Sequence, residues 1–148
     1  MFLPSFIGSV IGNFKRPVAV ANDVTPGAVN WTDASYDGFD YNYTTQQITG
    51  ISTSITLQVS FSNTSYSHLY YKINATNTVP GSGTPPYSAS YTSILHNGTI
   101  TVANNEWLAF GASERITGSA STTVTVINQS DSNTTLDIFT SSSVPSAP

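Results

Sequence analysis

Large apolar residues alternate with polar residues along most of the chain after about residue 24. In the clearest run, every second residue from Ile55 to Phe61 is apolar, and Thr, Gln and Ser lie between them. The same period of two recurs at 69–73, at 123–126 and at 136–138, where Leu136 and Ile138 alternate with Asp137. A period of two is typical of a β-strand with one buried face and one wet face. These runs therefore predict strands.

Turn sequences separate the predicted strands. Asn97-Gly98 lies between two apolar segments, 92–95 and 100–102, which predicts a two-residue type I′ hairpin. Asn104-Asn105 and the stretch 130–133 have the composition of further turns. Gly50 interrupts the run 47–51, which indicates a bulge or a strand that changes sheets. About eight short strands result, with no convincing helix.

Strands of this length and spacing predict an all-β, antiparallel sandwich. The chain has 148 residues, enough for one domain with a core of its own. We assign residues 1–23 to an N-terminal arm, 24–140 to the sandwich and 141–148 to a flexible tail, because the last eight residues are mostly Ser, Pro and Ala.

The N-terminal arm is the most apolar segment of the chain. Its rough i, i+3/i+4 spacing allows a short helix, whereas Pro4 and two glycines favour an extended form. The arm either folds back on its own core or inserts into a neighbouring subunit, since an exposed apolar segment needs cover. Its apolar run, residues 1–14, is far shorter than the ~20 residues that span a bilayer. Its candidate partner-binding residues are Phe2, Leu3, Phe6, Ile7, Val10, Ile11 and Phe14.

Charge and cysteine content narrow the function classes. Charged residues make up 8% of the chain, and only four are basic. Nucleic-acid binding needs many cations to neutralise phosphates, so we expect no nucleic-acid partner. The absence of cysteine excludes disulfides and thiolate metal sites. Solubility must come from Ser, Thr and Asn, a composition associated with exposed, long-lived surfaces such as that of a virion.

Residues with catalytic or metal-binding chemistry are few. His68 and His96 fit no metal or nucleophile motif, and we interpret both as plain surface residues. Asp33, Asp37, Asp40 and Asn42 could hold calcium, but their spacing is not that of an EF-hand and an ordinary turn explains them. Glu106 and Glu114 could pair for glycoside hydrolysis, yet nothing places them across a cleft. We expect no enzyme activity and no cofactor.

Aromatic residues crowd two parts of the sequence. Tyrosine gives large contact area at low entropic cost and is enriched at interfaces. The two groups could form a protein-binding face or a platform on which sugars stack, or they could pack on the sheet faces. The first group is Tyr36, Phe39, Tyr41 and Tyr43, and the second is Tyr66, Tyr70, Tyr71, Tyr87 and Tyr91.

Several segments between residues 27 and 140 resemble short accessory proteins of tailed bacteriophages. The resemblance is carried by strand and turn patterns, and it leaves out the N-terminal arm. It implies an immunoglobulin-like sandwich that decorates or cements a capsid, or that lies in the neck or tail. The segments are 29–31, 47–51, 69–74, 104–110, 123–131 and 136–139.

We therefore expect a virion structural protein on the capsid surface that binds the major capsid protein or other virion subunits. A homo-oligomer, for example a trimer, agrees with the implied decoration role. We expect neither a nucleic-acid nor a membrane partner. The alternatives are a neck, tail or fibre component, and a carbohydrate-binding or adhesin module that uses its tyrosines.

Overall fold

The computed structural model describes residues 22–38, 40–66, 68–77, 91–113 and 118–145. These residues form nine strands and no helix, which confirms the all-β prediction. The strands are β1 (Ala34–Tyr36), β2 (Tyr41–Gln47), β3 (Ile55–Phe61), β4 (Leu69–Asn74), β5 (Thr92–Ile94), β6 (Gly98–Val102), β7 (Trp107–Ala112), β8 (Ala120–Asn128) and β9 (Thr134–Ser143).

The nine strands form one continuous mixed sheet in the order β5-β4-β7-β2-β1-β9-β8-β3-β6. Every ladder is antiparallel except that between β1 and β9, in which Ala34 is paired with Ser141 and Tyr36 with Ser143. The expectation of purely antiparallel pairing was therefore wrong at β1. This three-residue strand follows an Asp-containing segment, and the sequence gives no alternation there that predicts a strand.

The sheet folds over so that its two ends share one core. We call β6-β3-β8-β9-β1 the first half and β2-β7-β4-β5 the second half. Phe110 of β7 and Phe139 of β9 belong to different halves, yet their ring centroids lie 5.4 Å apart. The alternating residues of β3 point into the same core, with Ile55, Leu57 and Val59 all fully buried. Burial of these apolar side chains is the main favourable contribution to folding.

Asn97-Gly98 turns the chain, but the flanking strands do not form the predicted hairpin. The turn is closed by a hydrogen bond from Gly98 N to Leu95 O of 2.9 Å, and Asn97 has φ of 63°. β5 pairs with β4, whereas β6 pairs with β3 in the other half. The turn is thus an arch between the halves. An Asn-Gly pair specifies a local reversal, while the strands' partners depend on the rest of the sheet.

The chain passes from the second half of the sheet to the first at Gly50. A strand that changes sheets was one of the two possibilities that the sequence indicated there. β2 pairs with β7, and β3 pairs with β6 and β8. The connection is anchored by Ile48, whose N–H donates to Glu106 O at 2.8 Å, and Gly50 has φ of 82°. A positive φ of this size suits glycine, which lacks a Cβ. Ile48 and Ile51 are buried on either side of the turn.

The inward face of β9 differs from the prediction. Ile138 is 58% exposed, whereas Phe139 is 4% exposed and packs in the core. The β8–β9 register shifts between Val126 and Ile127, so that β9 carries an extra residue opposite this step. An extra residue in a strand reverses the alternation beyond it.

β9 also extends past the predicted start of the tail. Ser141 and Ser143 are buried within the strand, and Val144 N donates to Tyr36 O at 3.1 Å. Strand β9 lies between β8 and β1. Ser141 is paired with Thr122 of β8 and Ser143 with Ala120, and the small serine side chains fit at these buried positions. Serine-rich composition suggested a flexible end, but small polar residues are compatible with a central strand whose neighbours are close.

Candidate functional site

The segment that joins the N-terminal arm to the body is held along its length by hydrogen bonds. We call residues 22–33 the strap. The seven apolar arm residues from Phe2 to Phe14 lie outside the described residues, so the strap is the visible part of this candidate site. At its first end, Asp23 N donates to Ser52 Oγ at 2.7 Å, and Ser52 N donates to Asp23 O at 2.9 Å.

Asn128 at the end of β8 and Asp131 in the turn that follows form hydrogen bonds to the next part of the strap. Asn128, which is fully buried, donates from Nδ2 to Val24 O at 2.7 Å. Thr25 Oγ1 donates to an Asp131 carboxylate oxygen at 2.9 Å. Gly27 N donates to Thr49 O at 2.8 Å. The backbone of the strap is therefore bonded to residues far away in sequence, although the strap is not a strand.

Trp31 anchors the strap in the core. Its side chain is 1% exposed, its Nε1 donates to Leu108 O at 3.0 Å, and its ring meets the edge of Phe110 at a centroid distance of 5.4 Å. Its backbone N–H donates to the carboxylate of Asp137. A buried indole with a satisfied N–H is a strong local anchor. These contacts fix the C-terminal part of the strap to the body.

The structure brings members of the two aromatic groups together on the outer face of the second half. β2 and β4 both flank β7, so that Tyr43 and Tyr70 are each opposite Gly111. Ring centroids are 4.2 Å apart for Tyr36–Tyr41, 5.9 Å for Tyr41–Tyr43 and 4.9 Å for Tyr43–Tyr91. We call this set, with Ala109 and Ala112, the tyrosine cluster.

Gly111 makes room for the tyrosine cluster. A Cβ at position 111 would lie 2.3 Å from the Tyr43 ring, closer than any real contact.

Across the cluster, Lys72 Nζ lies 5.8 Å from the centroid of the Tyr91 ring, within range of a cation–π interaction. Burial raises the pKa of Tyr91 to about 12. The Tyr91 hydroxyl is buried without a hydrogen-bond partner among the described residues.

The remaining aromatic candidates are divided between core and undescribed segments. Tyr66 is in the main core, with its hydroxyl 2.9 Å from Ser141 Oγ, and Tyr71 packs against the same core. Phe39 and Tyr87 lie outside the described residues. The sequence did not reveal that Tyr36, Tyr41 and Tyr91 meet, because the contact depends on which strands are neighbours. All three are buried to 6% exposure or less, so they offer little open ring surface for stacking sugars.

The outer face of the first half is rich in hydroxyl groups. The outward residues of β3, β6 and β8 are uncharged, since they are Thr, Ser, Gln or Ile. Thr99, Thr101 and Thr123 are exposed. This face is suited to contacts that depend on hydrogen bonds and methyl groups rather than on ion pairs.

The acidic residues around β1 and β2 have structural partners. Asp33 Oδ1 accepts a hydrogen bond from Thr140 N at 2.8 Å, and Asp37 Oδ1 accepts one from Asp40 N at 2.8 Å. Asn42 Nδ2 donates to Asp33 O at 3.2 Å. Within the part of the chain that the structure describes, no three His, Asp or Glu side chains are grouped for a metal ion. The Asp37–Asp40 contact is that of an ordinary turn, whereas Asp33 links the segment before β1 to β9.

The histidines and glutamates also contact their local surroundings. His96 is half-buried and its Nδ1 accepts a hydrogen bond from Phe61 N at 2.9 Å, so it is not the plain surface residue we expected. The ring of His68 lies 4.9 Å from that of Tyr70. Glu106 accepts from Ala103 N at 2.7 Å and stabilises the turn before β7. Its suggested partner, Glu114, lies outside the described residues.

Comparisons with known proteins add little to this geometry. No protein-family model and no curated protein matches the chain. One solved structure, the N-terminal domain of PorA, aligns with 86% of this chain and 92% of its own chain, at 9% identity and a TM-score of 0.24. A likeness this weak indicates neither a shared fold nor a shared function. Among the described residues, no helix has the length and hydropathy needed to cross a membrane.

Proposed function

We propose that this chain is a structural protein of a tailed-phage virion, of the type that decorates or cements the capsid. It acts through contact surfaces, on the outside of the shell, with the major capsid protein or other virion subunits as partners. The proposal includes no catalysis, no cofactor and no nucleic-acid or membrane partner. A neck, tail or fibre position is the alternative within the same class.

The firmly attached strap is the observation that carries this proposal. A chain that only needed to bury its N-terminus would not require residues 22–33 to be tied at Ser52, Asn128 and Leu108. These ties hold the strap, to which the arm is covalently joined, against the body. An apolar arm on a fixed base is suited to holding a neighbouring subunit, because burial of each large apolar side chain contributes about 1.5–3 kcal/mol.

The proposal includes an immunoglobulin-like sandwich as the scaffold, and the path of the chain supports this part of it. Successive strands pass repeatedly between the halves, from β2 to β3, from β5 to β6 and from β6 to β7. This path is typical of two-layered β domains in which loops and faces make the contacts. The continuous pairing of β2, β1 and β9 joins the two halves of the sheet on one side.

A carbohydrate-binding or adhesin role is less well supported. It depended on the tyrosines as a stacking platform, and the tyrosine cluster is largely packed against itself. A glycan array with the purified protein separates the two classes. Retention of a defined glycan, abolished by substitution of Lys72 or Tyr70, would favour the adhesin role.

The proposed function is tested by counting this chain in purified particles. Quantitative mass spectrometry of virions from a phage that encodes it should find a copy number in fixed ratio to the major capsid protein. Emptied heads separated from tails should retain the chain if it decorates the capsid. Retention by tails alone would favour the neck or tail alternative, and absence from particles would refute the structural role.

A further inference from the structure

The arch between β5 and β6 contains a residue pair that can react with itself. Asn97 is followed by Gly98, and no other asparagine of the chain precedes a glycine. The side-chain amide carbon of an asparagine lies a few bonds from the backbone nitrogen of the next residue, so attack by that nitrogen closes a cyclic imide. Glycine permits this attack most readily, because it has no Cβ to crowd its nitrogen. Asn97 therefore carries a chemistry that the contact surfaces do not use.

The reaction is a deamidation, and water is the co-reactant. The Gly98 nitrogen loses its proton and bonds to Cγ of Asn97, and the side-chain nitrogen leaves as ammonia. Water then opens the imide at one of its two carbonyl carbons, which gives either aspartate or isoaspartate. In sum, water is consumed, ammonia is released and no electrons are transferred. Asn97 is half-buried, so water reaches part of its surface.

Hydrogen bonds hold the backbone on both sides of the reacting pair. Gly98 N donates to Leu95 O at 2.9 Å, and Asn97 N donates to Val59 O at 2.8 Å. Gly98 is also paired with Val59 at the end of the β3–β6 ladder. The attacking nitrogen is thus a donor within the closed arch, and it must leave Leu95 O before it can attack.

The backbone conformation of Asn97 keeps the two reacting groups apart. Its φ is 63°, in the left-handed region, where residues have ψ of about +30 to +60°. For an L residue, such a ψ turns the next nitrogen away from Cβ. Ring closure needs the nitrogen and Cβ on the same side of the Cα–C bond. The Asn97 backbone must therefore rotate before the reaction can begin.

Side-chain packing fills the space that this rotation needs. An atom in the Cβ position of Gly98 would lie 2.5 Å from Ile94 Cγ1 and 3.1 Å from Ile94 Cδ1. Ile94 is itself a buried residue of the core. The arch must therefore separate from Ile94 as well as from Val59 before Asn97 can rotate.

We propose that Asn97 is the site at which this chain deamidates, and that the reaction proceeds only when the arch opens. The reactive sequence is local, whereas the left-handed conformation, the two hydrogen bonds and the contact with Ile94 are supplied by the fold. Local openings in native proteins have free energies from near zero to that of global unfolding. The extent of modification thus reports how often the arch opens. The inference goes beyond the proposed function and does not depend on it.

Both products alter the arch. Each replaces a neutral amide by a carboxylate at a half-buried position. Isoaspartate also adds the side-chain methylene carbon to the main chain between the positions of Asn97 and Gly98. This longer main chain disturbs the register at the end of the ladder, where Gly98 is paired with Val59. Modified chains should therefore unfold at a lower denaturant concentration than unmodified ones.

The site is tested by following deamidation of the full chain in guanidinium chloride. Peptide mass spectrometry, with chromatographic separation of aspartate from isoaspartate, measures each asparagine over time. Asn133 is the internal control, because it has a similar φ of 60° in the folded chain but is followed by Thr134. In denaturant Asn97 should react faster than Asn133, and Gly98→Ala should remove this difference. An Asn97 that reacts no faster than Asn133 would overturn the assignment of the site.

The role of the arch is tested in native buffer at the same pH and temperature. Asn97 should react at least about tenfold more slowly than in denaturant, because only molecules with an open arch react. Ile94→Val removes the Cδ1 carbon beside Gly98 and should raise the native rate several-fold, with the denatured rate unchanged. Hydrogen exchange at the Gly98 amide should accelerate by a similar factor.

Ile55→Val is the matched control, because it removes the same group from another fully buried residue, at the opposite end of the β3–β6 ladder. It should leave the native rate at Asn97 close to that of the native chain. An equal rise for the two variants would assign the reaction to global unfolding and overturn the role of the arch. Equal rates at Asn97 in native buffer and in denaturant would overturn it as well.

Discussion

Gly98 lies at the arch between β5 and β6, where its backbone is in close contact with neighbouring residues. A Cβ built at this position would be 2.5 Å from Ile94 Cγ1 and 3.0 Å from Leu95 O. The arch is also fixed from outside, because Asn97 N donates to Val59 O at 2.8 Å. Glycine is therefore required here for space.

Gly98→Ala should lower the free energy of unfolding by about 1–3 kcal/mol, the usual cost of overpacking a tight site. Chemical denaturation measures it. Gly27→Ala is the matched control, because its Cβ would meet only Thr49, at 3.2 Å from Oγ1 and 3.8 Å from O. Gly27→Ala should cost less than Gly98→Ala, and a Gly98→Ala chain as stable as the native chain would show that Gly98 is not constrained.

Tyr91 gives a prediction about alkaline pH. Its pKa is raised from 10.0 to about 12 by burial, so the folded protein resists ionisation that the unfolded chain allows. Its contribution to stability is complete below pH 10 and is lost as pH rises toward 12.

Comparison with Tyr91→Phe isolates this contribution from the other tyrosines. The variant should lose less stability than the native chain between pH 10 and 12. It should be nearly as stable as the native chain near neutrality, because the hydroxyl has no partner among the described residues. Denaturation curves at several pH values measure both. Parallel pH profiles for the two proteins would contradict the assignment.

At the scale of elements, alternation predicts strands well and pairing poorly. β3 matches its predicted span and inward face residue for residue, because alternation within one strand is a local property. The partners of β5 and β6 were wrong, because Asn97-Gly98 determines only the turn. Alternation placed Ile138 on the inward face, whereas it is exposed. The register shift beside Val126 causes the difference, and the sequence of β9 does not indicate that shift.

The strap is an element without regular structure, and its stability depends on side chains. Asn128→Ala removes the donor to Val24 O and the acceptor of Ser130 N, at 2.7 and 3.0 Å. We expect a loss of about 1–3 kcal/mol, because two partly buried hydrogen bonds are lost and the fully buried Asn128 side chain leaves its site. Protease should also cut the strap faster than in the native chain.

Gln129→Ala is the control for the strap, because its side chain is exposed. Its stability should stay within about 0.5 kcal/mol of the native chain. If Asn128→Ala were equally neutral, the side-chain bonds to the strap would not hold it, and the base of the arm would not be fixed.

At the scale of the whole molecule, the sequence offered tyrosines as interface candidates but did not predict which of them meet. Tyr43 and Tyr91 were both interface candidates, yet they lie 48 residues apart in sequence and meet through β4 and β7. Non-local strand order, which alternation does not encode, brings them together. The same order makes β5 and β6 the two ends of the sheet.

The body should fold without the apolar part of the arm. The core from Trp31 to Phe139 and the strap ties all lie within residues 22–145. A chain that lacks residues 1–14 should therefore keep its β-type circular dichroism spectrum and a cooperative thermal transition. Loss of the transition would show that the arm belongs to the chain's own core.

The most direct test of the account is sedimentation of purified capsid shells with either the full chain or the chain lacking residues 1–14. The account predicts that the full chain sediments with shells to saturation and that the truncated chain, though folded, stays in the supernatant. Equal sedimentation of the two chains would contradict the arm's role in attachment. Failure of the full chain to bind shells would contradict the decoration function.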